Sequence, residues 1–130
     1  MNDRPNAREL LAIARETFTS EIMPVLPETL RYTGLMIANA LVIAQRECEA
    51  GDVPDREELE RLRVLLSEAP TPFVADGFHA RLESYNRRFA KEIRAGRFDD
   101  GEKRISMFEH LSQTTADKLA VSNPKALIRK

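Results

Sequence analysis

The sequence predicts an all-α fold: an antiparallel bundle of four to five helices around a buried central helix at about residues 27–50. Three observations predict it. Apolar residues recur at spacings of three and four, no segment shows a convincing period of two, and proline or glycine separates the periodic stretches. Leu10, Leu11, Ala14, Phe18 and Ile22 place one stripe on a first helix from about Ala7 to Ile22, with Asn6 and Glu9 as its capping pair. It should end near Met23, because Pro24 disfavours a helical conformation at the residue before it.

Pro27 suits the first turn of a second helix, which runs to about Ala50 with Gly51 as its left-handed terminator. Its middle, from Leu35 to Ala44, is apolar on nearly every face and is expected to be covered all round. Gly34 with Ala38, and Ala40 with Ala44, are small pairs four apart that would admit a close neighbour. After Val53-Pro54-Asp55, a short third helix carries Leu59, Leu62, Leu65 and Leu66. Glu57 with Arg61, and Arg56 with Glu60, are spaced to pair on its outer side.

Pro70 and Pro72 break that helix in a linker too short to separate domains, so residues 1–130 read as one domain. A fourth helix, about Asp76 to Ala95, aligns Phe78, Leu82, Tyr85, Phe89 and Ile93 and ends at Gly96. A fifth, about Asp100 to Ala120, aligns Ile105, Phe108, Leu111, Thr115 and Leu119 and ends at Asn123-Pro124.

Composition narrows the function classes. With 130 residues, 42% of them hydrophobic, there is room for one modest core. The net charge of -1 provides no global field to gather nucleic acid or an anionic membrane. The longest apolar stretch is about half of the roughly 20 residues a membrane span needs. Cys48 is the one cysteine, so no internal disulfide forms, and the stretch from Met1 to Pro5 lacks the apolar centre of a secretory signal. A cytoplasmic protein is expected. Residues 1–75 carry 8 Lys or Arg against 13 Asp or Glu, and residues 76–130 carry 12 against 8. These complementary halves are expected to pack on each other or on the partner halves of a dimer.

The segment from Arg31 through Glu47 resembles the most recognisable part of an uncharacterised bacterial family, domain of unknown function six-two-eight-five. Arg4-Pro5-Asn6-Ala7-Arg8-Glu9-Leu10-Leu11, Ile93-Arg94-Ala95-Gly96 and Leu119-Ala120-Val121-Ser122-Asn123-Pro124 resemble it too. The resemblance implies a small helical protein whose genes often neighbour those of aminoglycoside-phosphotransferase-like kinases and acyl-CoA dehydrogenases, and it implies no established activity. The family tends to have His and Arg where this chain has Thr33 and Leu35, which argues against a polar site built on those two. Asn39, Arg46 and Glu47 match.

Asn39 is the sharpest candidate, because an amide inside an apolar helix must satisfy its donors and acceptors or cost about 1–3 kcal/mol per orphaned group. A structural hydrogen bond and a ligand contact are both open readings. Arg46 and Glu47 are adjacent and project about 100 degrees apart, so spacing alone does not make them a joint catalytic pair. Tyr32, with Arg31, could accept an anion at the other end of the helix. His79 and His110 are too few for a metal site, although Asp76, His79 and Glu83 share a face. Nothing fixes a nucleophile beside a base, and Cys48 lies between Glu47 and Glu49, which favours the thiol. Arg87, Lys91 and Arg94 share a face that could track phosphates or meet the acidic third helix; nucleic acid is not expected.

The reading that follows is a non-catalytic interaction or accessory subunit with no catalytic residue, metal or cofactor. It would act as a homo-oligomer or as the partner of a larger enzyme of the phosphotransferase-like or acyl-CoA-related kind. The alternative is a bundle that binds a small molecule or acyl chain, with Tyr32, Asn39, Arg46 and Glu47 as candidate binding residues.

Overall fold

The computed structural model describes residues 3–72 and 76–128; Met1 and Asn2, which begin the stretch read for a signal sequence, lie outside them. Five α-helices follow in order: α1 (Ala7–Thr17), α2 (Arg31–Ala50), α3 (Val53–Leu65), α4 (Phe78–Arg94) and α5 (Gly101–Ser122). Among the described residues there is no strand, so the predicted all-α class holds. The chain divides into two compact units, Met1–Gly51 and Asp52–Lys130.

In the first unit the predicted cap forms. The Asn6 side chain accepts from the Glu9 backbone N–H at 2.9 Å, and Glu9 Oε2 accepts from the Asn6 N–H at 3.1 Å. The helical path continues to Ile22, as the apolar stripe predicts, but its last five residues, Phe18–Ile22, widen into a π-turn. Pro24 then sits in a 3-10 turn, Met23–Val25, and a second such turn, Glu28–Leu30, leads into α2. At the far end Gly51 adopts φ +59°, where a side chain would be strained, and α2 stops there. α1 and α2 pack on each other as a helical hairpin.

The second unit holds the core. Leu62 is fully buried on α3, and Leu66, Leu82, Phe89 and Phe98 close around it. The Phe89 and Phe98 rings meet edge to face at 5.3 Å between centroids. α3 packs against both α4 and α5. Opposite charges join the first of these contacts, because Arg88 of α4 pairs with Glu68 and also donates to the Leu66 carbonyl at 3.3 Å.

The difference from expectation lies in which helix is covered. Gly34 is the one buried residue of α2, while Leu35, Met36 and Ile37 are 54%, 51% and 45% exposed. An unbroken apolar sequence reports a need for cover and does not say what supplies it. The third helix, shorter and more charged, is instead the element whose leucines are most completely buried.

Removing the Leu62 side chain beyond Cβ should therefore be costly. Leu62→Ala is expected to lower unfolding free energy by about 2–5 kcal/mol. Val64→Ala, at a position 61% exposed on the same helix, should change it by no more than about 0.5 kcal/mol. Urea denaturation of the two variants checks this.

Candidate functional site

The residues nominated from the sequence all lie on α2. Tyr32, Asn39 and Arg46 are seven apart, so two turns of helix bring each onto nearly the same face. Tyr32 is 74% exposed, Asn39 and Glu47 are exposed, and Arg46 is half-buried. The expected burial of Asn39 is corrected here: water can reach its amide, so no internal partner is required of it. Leu35, Met36, Val42 and Ile43 flank the same face.

The covered side of α2 is elsewhere. Gly34 is buried, and Ala38, Leu41 and Gln45 follow it at helical spacing as half-buried positions. A Cβ on Gly34 would lie 2.5 Å from the Met23 sulfur and 2.6 Å from Leu26 Cδ1. The glycine thus admits the turn that precedes α2. The line through Asn39 is rotated from this covered line by roughly 140 degrees.

A second polar constellation, in the other unit, was missed by the sequence reading. Arg61 of α3 turns inward to α5 and does not stay on the outer face with Glu57. Its Nε donates to His110 Nδ1 at 3.2 Å, and its Nη2 donates to Thr114 Oγ1 at 3.1 Å and lies 3.7 Å from Asp117 Oδ2. Asp117 Oδ1 accepts from Gln113 Nε2 at 2.9 Å, whereas Oδ2 is buried with no hydrogen bond among the described residues. Buried Glu58 accepts from Asn86 Nδ2 at 3.1 Å. His110, Thr114 and Asp117 are four and three apart, and that spacing was the available signal.

The chemistry of this network is positional. His110 is 3% exposed and stands edge to face against Phe89 at 5.3 Å. Because Nδ1 accepts from Arg61, the neutral ring carries its proton on Nε2. Burial, and then the neighbouring guanidinium, hold the imidazole below the ordinary histidine range, while Glu58 acts the other way. Nδ1 is engaged by a cation, so it is not placed to take a proton from Thr114. The cluster ties α5 to α3.

Two clefts lie in the same unit. One, of about 400 Å³, lies between α3 and α4 with Leu59, Phe78 and Tyr85 on its walls and Arg56, Arg63 and Arg81 at its edge. The other, of about 430 Å³, is an open groove between α3 and α5 bordered by Arg61, Val64, Ser106 and His110. Exposed His79 stands 3.6 Å from Asp52 and 3.7 Å from Asp55. Among the described residues no three His, Cys, Asp or Glu side chains are grouped to hold a metal ion.

His110 makes stability depend on pH with a definite sign. Its folded value lies below its unfolded one, so between the two the unfolded chain binds more protons. Its contribution is therefore complete above the unfolded value, about 6.5, and is lost as pH falls through the folded value. Denaturation midpoints should fall over that range, and His110→Gln should flatten this part of the profile.

The family described as "Domain of unknown function (DUF6285)" matches residues 24–126. No curated protein and no solved structure matches the chain. The match crosses the boundary at Gly51–Asp52 and so takes in both α2 and the α3–α5 core. The chain belongs to this family, a domain of unknown function.

Proposed function

We propose that the protein is a cytoplasmic, non-catalytic interaction subunit, and that the surface of its first unit is completed by another protein. One observation carries the reading: among the described residues of that unit only Gly34 is buried. Leu10, Ile13, Val25, Leu30, Leu35 and Met36 are each about half exposed or more. Scattered apolar residues on a surface are ordinary, but this many on one helical hairpin is a surface of the kind that marks an interaction site. Covering a leucine or methionine side chain in full is worth roughly 1.5–3 kcal/mol, so a few such residues supply the drive for association.

The chemistry of the rest supports the same reading. The one buried histidine is held by Arg61, and Thr114 beside it accepts from the same guanidinium, so that pair does not form a nucleophile with its base. Cys48 is an exposed free thiol, which suits a reducing compartment. The family match crosses the unit boundary, which favours treating residues 1–130 as one functional domain. The partner is a second copy or a larger enzyme of the phosphotransferase-like or acyl-CoA-related kind.

Sedimentation velocity on the full chain, alone and mixed with each candidate enzyme, tests the proposal. A mass above that of one chain in any of these samples is expected. Leu35→Glu with Met36→Glu should abolish it, while Val64→Glu on α3 should leave it intact. A chain that stays monomeric at high micromolar concentration and joins neither enzyme would overturn the reading.

A further inference from the structure

The face of α2 that carries exposed Tyr32, Leu35, Met36 and Asn39 and half-buried Val42, Ile43 and Arg46 is self-complementary when reversed. Take Asn39 as a centre and count outward along the sequence. Three residues away on either side stand Met36 and Val42; four away, Leu35 and Ile43. Seven away stand Tyr32 and Arg46, and eight away Arg31 and Glu47. The inner positions are apolar on both sides, the next pair offers a ring and a guanidinium, and the outermost pair is of opposite charge. Spacings of three, four and seven keep the inner three pairs on one stripe, the seam that two helices share when they pack side by side.

We propose that a second copy of this chain covers α2, pairing antiparallel to it about a two-fold axis that passes beside Asn39. The proposal rests on the interaction reading above and names its partner and its geometry. An axis at that point sets Leu35 against Ile43 of the other copy and Met36 against Val42, so Leu35 and Met36, about half exposed in one chain, meet apolar side chains. Tyr32 comes opposite Arg46, which allows a guanidinium-over-ring arrangement. Arg31 comes opposite Glu47 at the rim.

Asn39 is then the one polar group at the centre of an apolar seam. Two copies of its amide meet across the axis, and each NH2 can donate to the other's Oδ1, so the pair satisfies one donor and one acceptor of each amide where water is excluded. A single buried amide of this kind fixes register, because sliding the helices past each other would leave both amides facing apolar side chains. The sequence requirement for a partner to this amide and its exposure in the single chain are thereby accounted for together. A parallel pairing would instead set Arg31 beside Arg31 and Glu47 beside Glu47.

The test places a thiol at the axis. In the full-length chain with Cys48→Ser, Asn39→Cys is expected to give a covalent dimer as the main product of mild oxidation or of a short bismaleimide. Disulfide formation needs Cα atoms no more than about 7 Å apart. The unaltered chain is the internal control: its two Cys48 thiols would lie roughly 27 Å apart along an antiparallel pair and should not join. Arg31→Glu is expected to weaken dimerisation severalfold, and adding Glu47→Arg to the same chain should restore it.

Sedimentation separates this proposal from the reading beneath it. A dimeric chain in which the Asn39→Cys thiols fail to join overturns the antiparallel pairing and leaves the interaction reading in place. A chain that is monomeric alone yet binds one of the enzymes does the same. A monomer that binds nothing overturns both.

Discussion

Between Leu35 and Ala44 this protein places ten residues without a charge and with one amide among apolar side chains. Water around such a stretch is unfavourable, at roughly 25 cal/mol for each Å² of apolar surface. α1 can cover one side of it. A helix that is apolar on most of its circumference needs neighbours on several sides, and a hairpin provides one. The exposure of Leu35, Met36 and Ile37 is the direct consequence.

The second unit solves the same problem differently. Leu62 of α3 and Leu66 just after it meet Leu82 and Phe89 of α4 and Phe98 of the turn that follows, and these side chains close on Leu62. The polar groups brought inside with them are paired: Arg61 with His110, Thr114 and Asp117, and Glu58 with Asn86. Such a network contributes less to stability than an apolar filling of equal volume could, but it is sensitive to alignment. A shift of α5 by one turn along α3 would separate Arg61 from all three partners and leave buried polar groups unsatisfied. The core supplies the drive to pack, and the network selects the register.

Much of this was legible from the sequence, for reasons that differ by element. The Asn6–Glu9 cap and the stop at Gly51 were readable because they depend on a few adjacent residues and on local sterics. The stripe of Phe78, Leu82 and Phe89 was readable because burial follows helical period. Arg61 was not: an arginine four residues from Glu57 pairs with it on an isolated helix, and only the approach of α5 offers it His110 and Asp117 instead. Asn39 was misplaced for a related reason. Apolar neighbours say that a position ought to be buried, but they do not say whether the covering surface belongs to the same chain.

The two units therefore stand in different relations to concentration. The second unit closes its core on Leu62 within one chain, so the packing of that core does not depend on concentration. A hairpin of one α-helix of 11 residues and another of 20 has little to hold it in water by propensity alone, because most helical stability comes from packing of the apolar face. Whatever binds that face adds RT ln(1 + [L]/Kd) to its stability, where [L] is the free partner concentration. On the proposed pairing, occupancy of their surface and the stability of α1 and α2 are linked.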